Sequence, residues 1–197
     1  MRDEPLSVNE RDFIIEALGE GCRIDGRSKA DMRSLRISAG PARGTVEVQL
    51  GDTRVLAVCA AEVVEPLPER PNEGFFVLNV EFSPMAAPSF AGAQKGSGDA
   101  SVEVARIVER GIRQARALDV EGLCILVGQK VWAIRVDVRV LDSCGNIEDC
   151  ASIATIAALL HFRRNDVTVT GDEVIIVNIP FHFTQIYISC FFPSIFI

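Results

Sequence analysis

The stretch VWAIRVDVRVL, residues 131–141, sets Trp132, Ile134, Val136, Val138 and Val140 in alternation with Arg135, Asp137 and Arg139. A period of two over this length predicts a strand with one face on a core and the other in water. A few residues on, Asn146 is predicted as the N-cap of a helix over 147–163, with Glu148 and Asp149 on the free N–H groups of its first turn. The ASIATIAALL part of that helix, residues 151–160, is apolar nearly all round and rich in small side chains, so it is expected to be buried between other elements.

Upstream, residues 99–118 read as a second helix. Its expected packed face holds Val104, Ile107, Val108, Gly111, Ile112, Ala115 and Leu118. Arg106, Arg110 and Arg113 fall on the opposite face, with Arg116 beside them. Pro84, Pro88, Gly92, Gly96 and Gly98 keep residues 84–98 irregular, as a surface loop. Before it, GFFVLNVEFS (74–83) puts Phe76, Leu78, Val80 and Phe82 on one face of a strand, and the proline-bearing 63–73 segment is a connection. GTVEVQL (44–50) and TRVLAVCAA (53–61) flank Gly51-Asp52, which predicts a hairpin with a type II′ turn. Residues 8–18 read as a short N-terminal helix stopped by Gly19 and Gly21. Strands and helices in this order, with no internal repeat, predict an α+β fold of a layered sheet and helices.

The chain has 197 residues, 48% hydrophobic and 24% charged, which excludes disorder, collagen and a disulfide mini-protein. A formal charge of −7 leaves the whole molecule unattractive to polyanions, so any nucleic-acid contact must be a local patch. Six cysteines without a CxxC pair, and two histidines without zinc spacing, read as scattered reduced thiols of a cytosolic or nuclear protein. Met1 to Glu10 has no apolar run and predicts no secretory signal. After Glu173 come 24 residues without Asp, Glu, Lys or Arg. Asn178, Pro180, His182, Gln185, Pro193 and Ser194 interrupt that segment, which favours a strand-forming or non-native tail over a membrane helix.

Three basic groups stand out. On the arginine helix, Glu103 with Arg106 and Glu109 with Arg113 have ion-pair spacing, whereas Arg110 has no such partner, its neighbours at i−4 and i+3 being Arg106 and Arg113. That stripe reads equally as a phosphate-backbone contact and as a solvated or interface face. Arg23, Arg27, Lys29, Arg33 and Arg36 could serve RNA or a subunit contact, and His161-Arg163-Arg164 is expected to cap the buried helix. Asp142, Glu148 and Asp149 do not follow a calcium-loop spacing, and no metal or cofactor site is expected. No P-loop, GxGxxG, HExxH or GxSxG is present.

The blocks CRIDGRSKADMRSLRIS (22–38), GDTRVLAVC (51–59), EFSPMAAPSF (81–90), ERGIR (109–113), GQKVWAIRVDVRVLDSCGNIEDCASIATIAAL (128–159) and HFRRNDVTV (161–169) resemble the RNase PH family, and more narrowly its non-catalytic exosome ring members. The resemblance implies a ribosomal-protein-S5-domain-2-like fold, incomplete at the C-terminus. It divides the chain into an N-terminal helix and arm (1–30), a first RNase PH-like domain (31–165) and a partial strand with an atypical hydrophobic tail (166–197). It also implies other RNase PH-like ring subunits, S1/KH cap subunits and single-stranded RNA as partners, no membrane, no cofactor, and residence in nucleus, nucleolus and cytoplasm. Candidate RNA contacts are Arg106, Arg110 and Arg113, with Lys95 in the preceding loop. Phosphorolytic members of the family hold phosphate on an Arg- or Ser-rich turn at this helix start and use carboxylates from a second half. Here the equivalent turn is Ser143-Cys144-Gly145-Asn146-Ile147-Glu148-Asp149, which repels phosphate, and the expectation is that the chain is not an enzyme. The rival readings are a phosphorolytic 3′-to-5′ exoribonuclease and a non-functional splice product.

Overall fold

The computed structural model describes residues 7–87, 90, 99–170, 173–177 and 183–185. Helix α1 (Val8–Gly19) is followed by strands β1 (Leu35–Ala39), β2 (Thr45–Leu50), β3 (Thr53–Val64) and β4 (Phe75–Phe82). Helix α2 (Asp99–Gln114), strands β5 (Cys124–Leu126) and β6 (Lys130–Asp142), and helix α3 (Ile147–His161) come next. The described part ends with β7 (Arg163–Thr170), β8 (Glu173–Val177) and β9 (Phe183–Gln185).

The main sheet runs β1-β2-β3-β6-β4, with β5 added along β6. β1, β2, β3 and β6 pair antiparallel, each with the next in that order, whereas β4 lies parallel to β6, Phe76 opposite Ile134 and Val80 opposite Val138. Parallel neighbours need a long crossover, and α2 lies in the one between β4 and β6. The alternation read from residues 131–141 is borne out: Trp132, Ile134, Val136, Val138 and Val140 are buried. They join Val46, Val48, Val55, Ala57, Phe76, Leu78 and Val80 in one apolar layer, onto which α2 brings Val104, Val108 and Ile112, and α3 brings Ala151, Ala154, Ala158 and Leu159. The opposite face carries ion pairs between Arg54 and Glu47, Arg135 and Asp137, and Arg139 and Glu81. This is the layered α+β arrangement expected from the strand and helix order.

The β2–β3 hairpin forms where expected, with Leu50 opposite Thr53 and Gly51 at φ 63°, the positive first-position angle of a type II′ turn. α1 is built by a capping box in which Ser7 Oγ accepts the Glu10 N–H and Glu10 accepts the Ser7 N–H. The Ser7 N–H and hydroxyl both donate to the Glu10 carboxylate and hold it below its ordinary range. No residue of α1 is buried.

Four expectations are corrected. α2 stops at Gln114, four residues before Leu118, because Arg116 takes a left-handed φ of 46° while the Ala117 N–H bonds the Ile112 carbonyl and the Arg116 N–H bonds the Arg113 carbonyl. That pair of bonds is a Schellman close. The packed face of α2 is also rotated from the expected one: Ser101 is buried at 4% exposure and Ala105 half-buried, whereas Ile107 (48%), Gly111 and Ala115 are exposed. Third, α3 ends at His161 because Arg163 already starts β7. Fourth, β1, in a stretch read as merely basic and polar, is a strand whose Ile37 packs on the core.

β7 carries β8 and β9 in a second sheet of order β8-β7-β9, so the chain after Glu173 supplies strands there. β7 also runs across the boundary drawn between 165 and 166. Among the described residues no helix is long and apolar enough to cross a membrane.

Candidate nucleic-acid interface

The three helix arginines are not equivalent. Arg113 Nη2 lies 2.8 Å from Glu109 Oε1 and 3.2 Å from the carbonyl oxygen of Phe76, so it is spent on tying α2 to strand β4. Arg106 and Arg110 are exposed and make no ion pair with a described residue, so the spacing of Glu103 and Arg106 does not become a contact. Arg106 and Arg110, four residues apart, sit about 6 Å apart along the helix axis on the same face. Arg116, past the end of α2, borders a groove with Arg70, Arg113, Phe75 and Leu67. The Lys95 candidate and most of its loop lie outside the described residues.

Two members of the basic group of residues 23–36, Arg27 and Arg33, are committed to the fold. Arg27 pairs with Asp25 at 2.6 Å and donates to the Asp31 carbonyl. The Arg27 side chain holds the Asp25 carboxyl below its ordinary range, and the Ser28 backbone does the same for Asp31. Arg33 reaches across to the turn before α3, donating to the carbonyls of Cys144 (3.3 Å) and Gly145 (3.1 and 3.2 Å). A groove of about 1000 Å³ opens between this arm and α3, and the cations Arg23, Arg27, Lys29 and Arg33 that line it are matched by Asp25, Asp31, Asp52 and Asp149. It has no net attraction for an anion.

The turn itself is braced from below by Thr53. This side chain is fully buried, its Oγ1 accepting the Cys144 N–H at 3.1 Å and donating to the Gly145 carbonyl at 2.9 Å. Asn146 does occupy the position before α3, but it makes no side-chain cap, which corrects that expectation. It is left-handed at φ 58°, and its Nδ2 instead donates to Asp149 Oδ2 at 2.7 Å. Left-handed backbone is within reach of Asn because its short amide can bond locally. The result fastens a carboxylate at the positive end of α3, where an incoming phosphate would otherwise find free N–H groups. No cluster of three or more potential metal ligands exists among the described residues.

Of the third basic group only Arg163 is seen to cap α3 as expected: its Nη1 donates to the carbonyls of Leu160 and Phe162, at 2.8 and 2.9 Å. Arg164 turns away to the carbonyl of Gly122 and is partly desolvated, which lowers its affinity for its proton. His161 does something the sequence reading missed. Its Nδ1 accepts the N–H of Gly44, on the β1–β2 turn, at 3.2 Å. Nothing in the local sequence marks that pairing, which joins residues far apart in the chain.

The RNase PH family model, described as the 3′ exoribonuclease family, domain 1, matches residues 31–165. Exosome complex component RRP45B of Arabidopsis thaliana is 48% identical over 174 residues, which are 87% of this chain and 39% of that protein. Exosome complex component RRP45 of Homo sapiens is 47% identical over 174 residues, 88% of this chain and 39% of that protein. Among solved structures, an Archaeoglobus fulgidus exosome with RNA bound to the active site matches at a TM-score of 0.70 and 37% identity, covering 78% of this chain and 61% of that one. The chain thus spans well under half the length of these two curated relatives.

Proposed function

Because the chain belongs to the RNase PH family, over residues 31–165, we propose that it is a non-catalytic subunit of an RNA exosome ring, supporting 3′-to-5′ RNA processing and degradation through assembly and RNA contact. The family relatives are named as exosome components, and the partners on this reading are other RNase PH-like ring subunits, S1/KH cap subunits and single-stranded RNA. Nucleus, nucleolus and cytoplasm are the compartments that go with it. Residues 31–165 act as the RNase PH-type domain on this reading, with the N-terminal helix and arm before it.

The observation that carries the non-catalytic part is the Asn146–Asp149 bond at the head of α3. Phosphorolysis needs inorganic phosphate held beside the scissile bond, and a fixed carboxylate there opposes it by like charge. The test is the purified full chain with single-stranded RNA and inorganic phosphate. No nucleoside diphosphate should be released, and release above a mock preparation overturns the reading in favour of a phosphorolytic exoribonuclease.

For RNA contact we propose Arg106 and Arg110 as the phosphate-binding pair. Arg113 stands behind them, occupied with Glu109 and Phe76, so it contributes to the field and not to a direct contact. Lys95, in the sequence before α2 and outside the described residues, is a further candidate. Arg106→Glu with Arg110→Glu, in the full chain reconstituted with the other ring subunits, should lower the salt slope of single-strand binding by about 1.4, at roughly 0.7 per phosphate lost. An unchanged affinity and slope in an assembled ring means that this helix face is solvated. Failed assembly means that it is an interface.

A further inference from the structure

Gly44 is buried, and its backbone is the meeting point of three elements. Its carbonyl accepts the N–H of Cys59 on β3 at 2.9 Å, its N–H is taken by His161 Nδ1 at the end of α3, and the Phe162 ring occupies the space a side chain would need. A Cβ added there would lie 2.8 Å from Phe162 Cδ2. The β1–β2 turn therefore meets α3 at Gly44, through a hydrogen bond whose acceptor is an imidazole nitrogen. An imidazole accepts through Nδ1 only when that nitrogen is unprotonated, with the proton on Nε2.

We propose that His161 is a proton-sensitive latch that holds the β1–β2 turn on α3 when neutral and releases it when protonated. Protonation and the Gly44 bond are mutually exclusive: two donors would then face each other, and a buried backbone N–H would lose its acceptor. Charged residues near the junction include Arg43, next to Gly44 in the turn, Arg163 of β7, whose guanidinium sits on the Leu160 and Phe162 carbonyls flanking the histidine, and Asp137 of β6, whose charge reaches the Cys59 thiol. β3 contributes the buried Cys59 thiol, which desolvation pushes up to about 12 and keeps uncharged. α3 contributes the carbonyls of its last turn, which favour an imidazolium. Release matters most for β1. It is an edge strand whose pattern of exposure is exposed at every position but Ile37, so its attachment depends on β2 and on the ends of its turns.

The experiment is amide exchange of Gly44 in the full chain by NMR at pH 7.5 and 5.5, corrected for intrinsic exchange, with the Val136 amide in the central strand as the reference for global opening. In the native chain the protection of Gly44 should fall roughly tenfold at the lower pH, the loss of about one hydrogen bond, while Val136 is unchanged. His161→Asn offers an amide oxygen near the same place without titrating, and should keep Gly44 protected at both pH values. His161→Ala should leave it unprotected at both. Equal protection of Gly44 at the two pH values in the native chain overturns the proposal, and so does a pH-dependent loss that persists in His161→Asn.

Discussion

The guanidinium of Arg33 donates two hydrogen bonds to the carbonyl oxygen of Gly145, from Nη1 at 3.2 Å and Nη2 at 3.1 Å. It thereby fastens the N-terminal arm to the turn that starts α3. The same carbonyl also accepts the Thr53 hydroxyl, so the arm, the β2–β3 hairpin and the helix head share one oxygen. Gly51 is part of this fit. A Cβ there would stand 3.0 Å from the Arg33 Cδ, and the backbone is already left-handed.

Replacing Arg33 by Met keeps the aliphatic stem and removes the donors. Hydrogen bonds to a charged group contribute about 1.5–3 kcal/mol, and partial exposure places the expected loss near the low end, about 1–2 kcal/mol. Urea denaturation measures it, and limited proteolysis should find new cleavage in residues 22–34. An unchanged midpoint with no new cleavage shows that the arm is held by other means.

Thr53→Val is nearly isosteric but strands the Cys144 N–H, which has Oγ1 as its acceptor. A buried donor left unsatisfied costs about 1–3 kcal/mol. The loss should be sub-additive with Arg33→Met, because both act on Gly145, and a double-mutant cycle measures that coupling. Strict additivity would show that the two anchors are independent.

Gly44→Ala should be among the most damaging single changes. The φ of 84° costs a non-glycine residue about 1–2 kcal/mol, and the collisions with Phe162 and the Cys59 carbonyl add about 1–3 more. A drop of about 2–5 kcal/mol in unfolding free energy is expected, and a loss under about 1 kcal/mol would mean that the turn shifts freely.

Arg113→Met tests the division of labour on α2. Stability should fall by about 1 kcal/mol, since a partly exposed ion pair and one bond to the Phe76 carbonyl are lost. The salt slope for RNA should stay where it was. A slope reduced by about 0.7 would instead place Arg113 on a phosphate.

Thiol labelling should separate the cysteines by burial. Desolvation raises Cys59 to about 12 and Cys150 to about 11, so at pH 8 about one molecule in a thousand carries a Cys150 thiolate and fewer a Cys59 thiolate. Exposed Cys22 and Cys144 should react first. Because the shifts are upward, reactivity of the buried pair grows only as pH rises towards those values. Mass spectrometry of labelled peptides at pH 8 and 10 checks the order, and rapid labelling of Cys150 at pH 8 contradicts the burial.

Strands β2, β4 and β6 were legible because they carry a period of two, β6 above all, whereas β1 was not. Residues 131–141 needed no context to show which side faced the core. The end of α2 was not legible, since Arg116 carries no sequence mark of a left-handed residue and glycine is the usual sign. The rotation of the packed face was hidden for another reason. Gly111 and Ala115 are too small to declare a side, and Ser101 is buried with a bonding partner that spacing cannot reveal. The arginine stripe was visible as a stripe, but its partition was not. Phe76 claims Arg113 from a strand far back in the chain, and only the packed structure brings the two together. The helix start at Asn146 was located correctly and its chemistry misassigned, because a left-handed cap aims its amide at Asp149 and away from the free N–H groups.

The position of β6 between β3 and β4 also bears on how the molecule comes to be made. Val55 on β3 meets Val140 on β6, and Phe76 on β4 meets Ile134. The hairpin strands are therefore synthesised well before the strand that joins them to β4. Contacts of such long sequence separation close late and slow folding. A nascent chain released up to residue 130 holds β1 to β4 with their apolar side open and β3 still presenting an unpaired edge. That interval, before β6 inserts, is when this chain has most need of a chaperone or of a partner already in place.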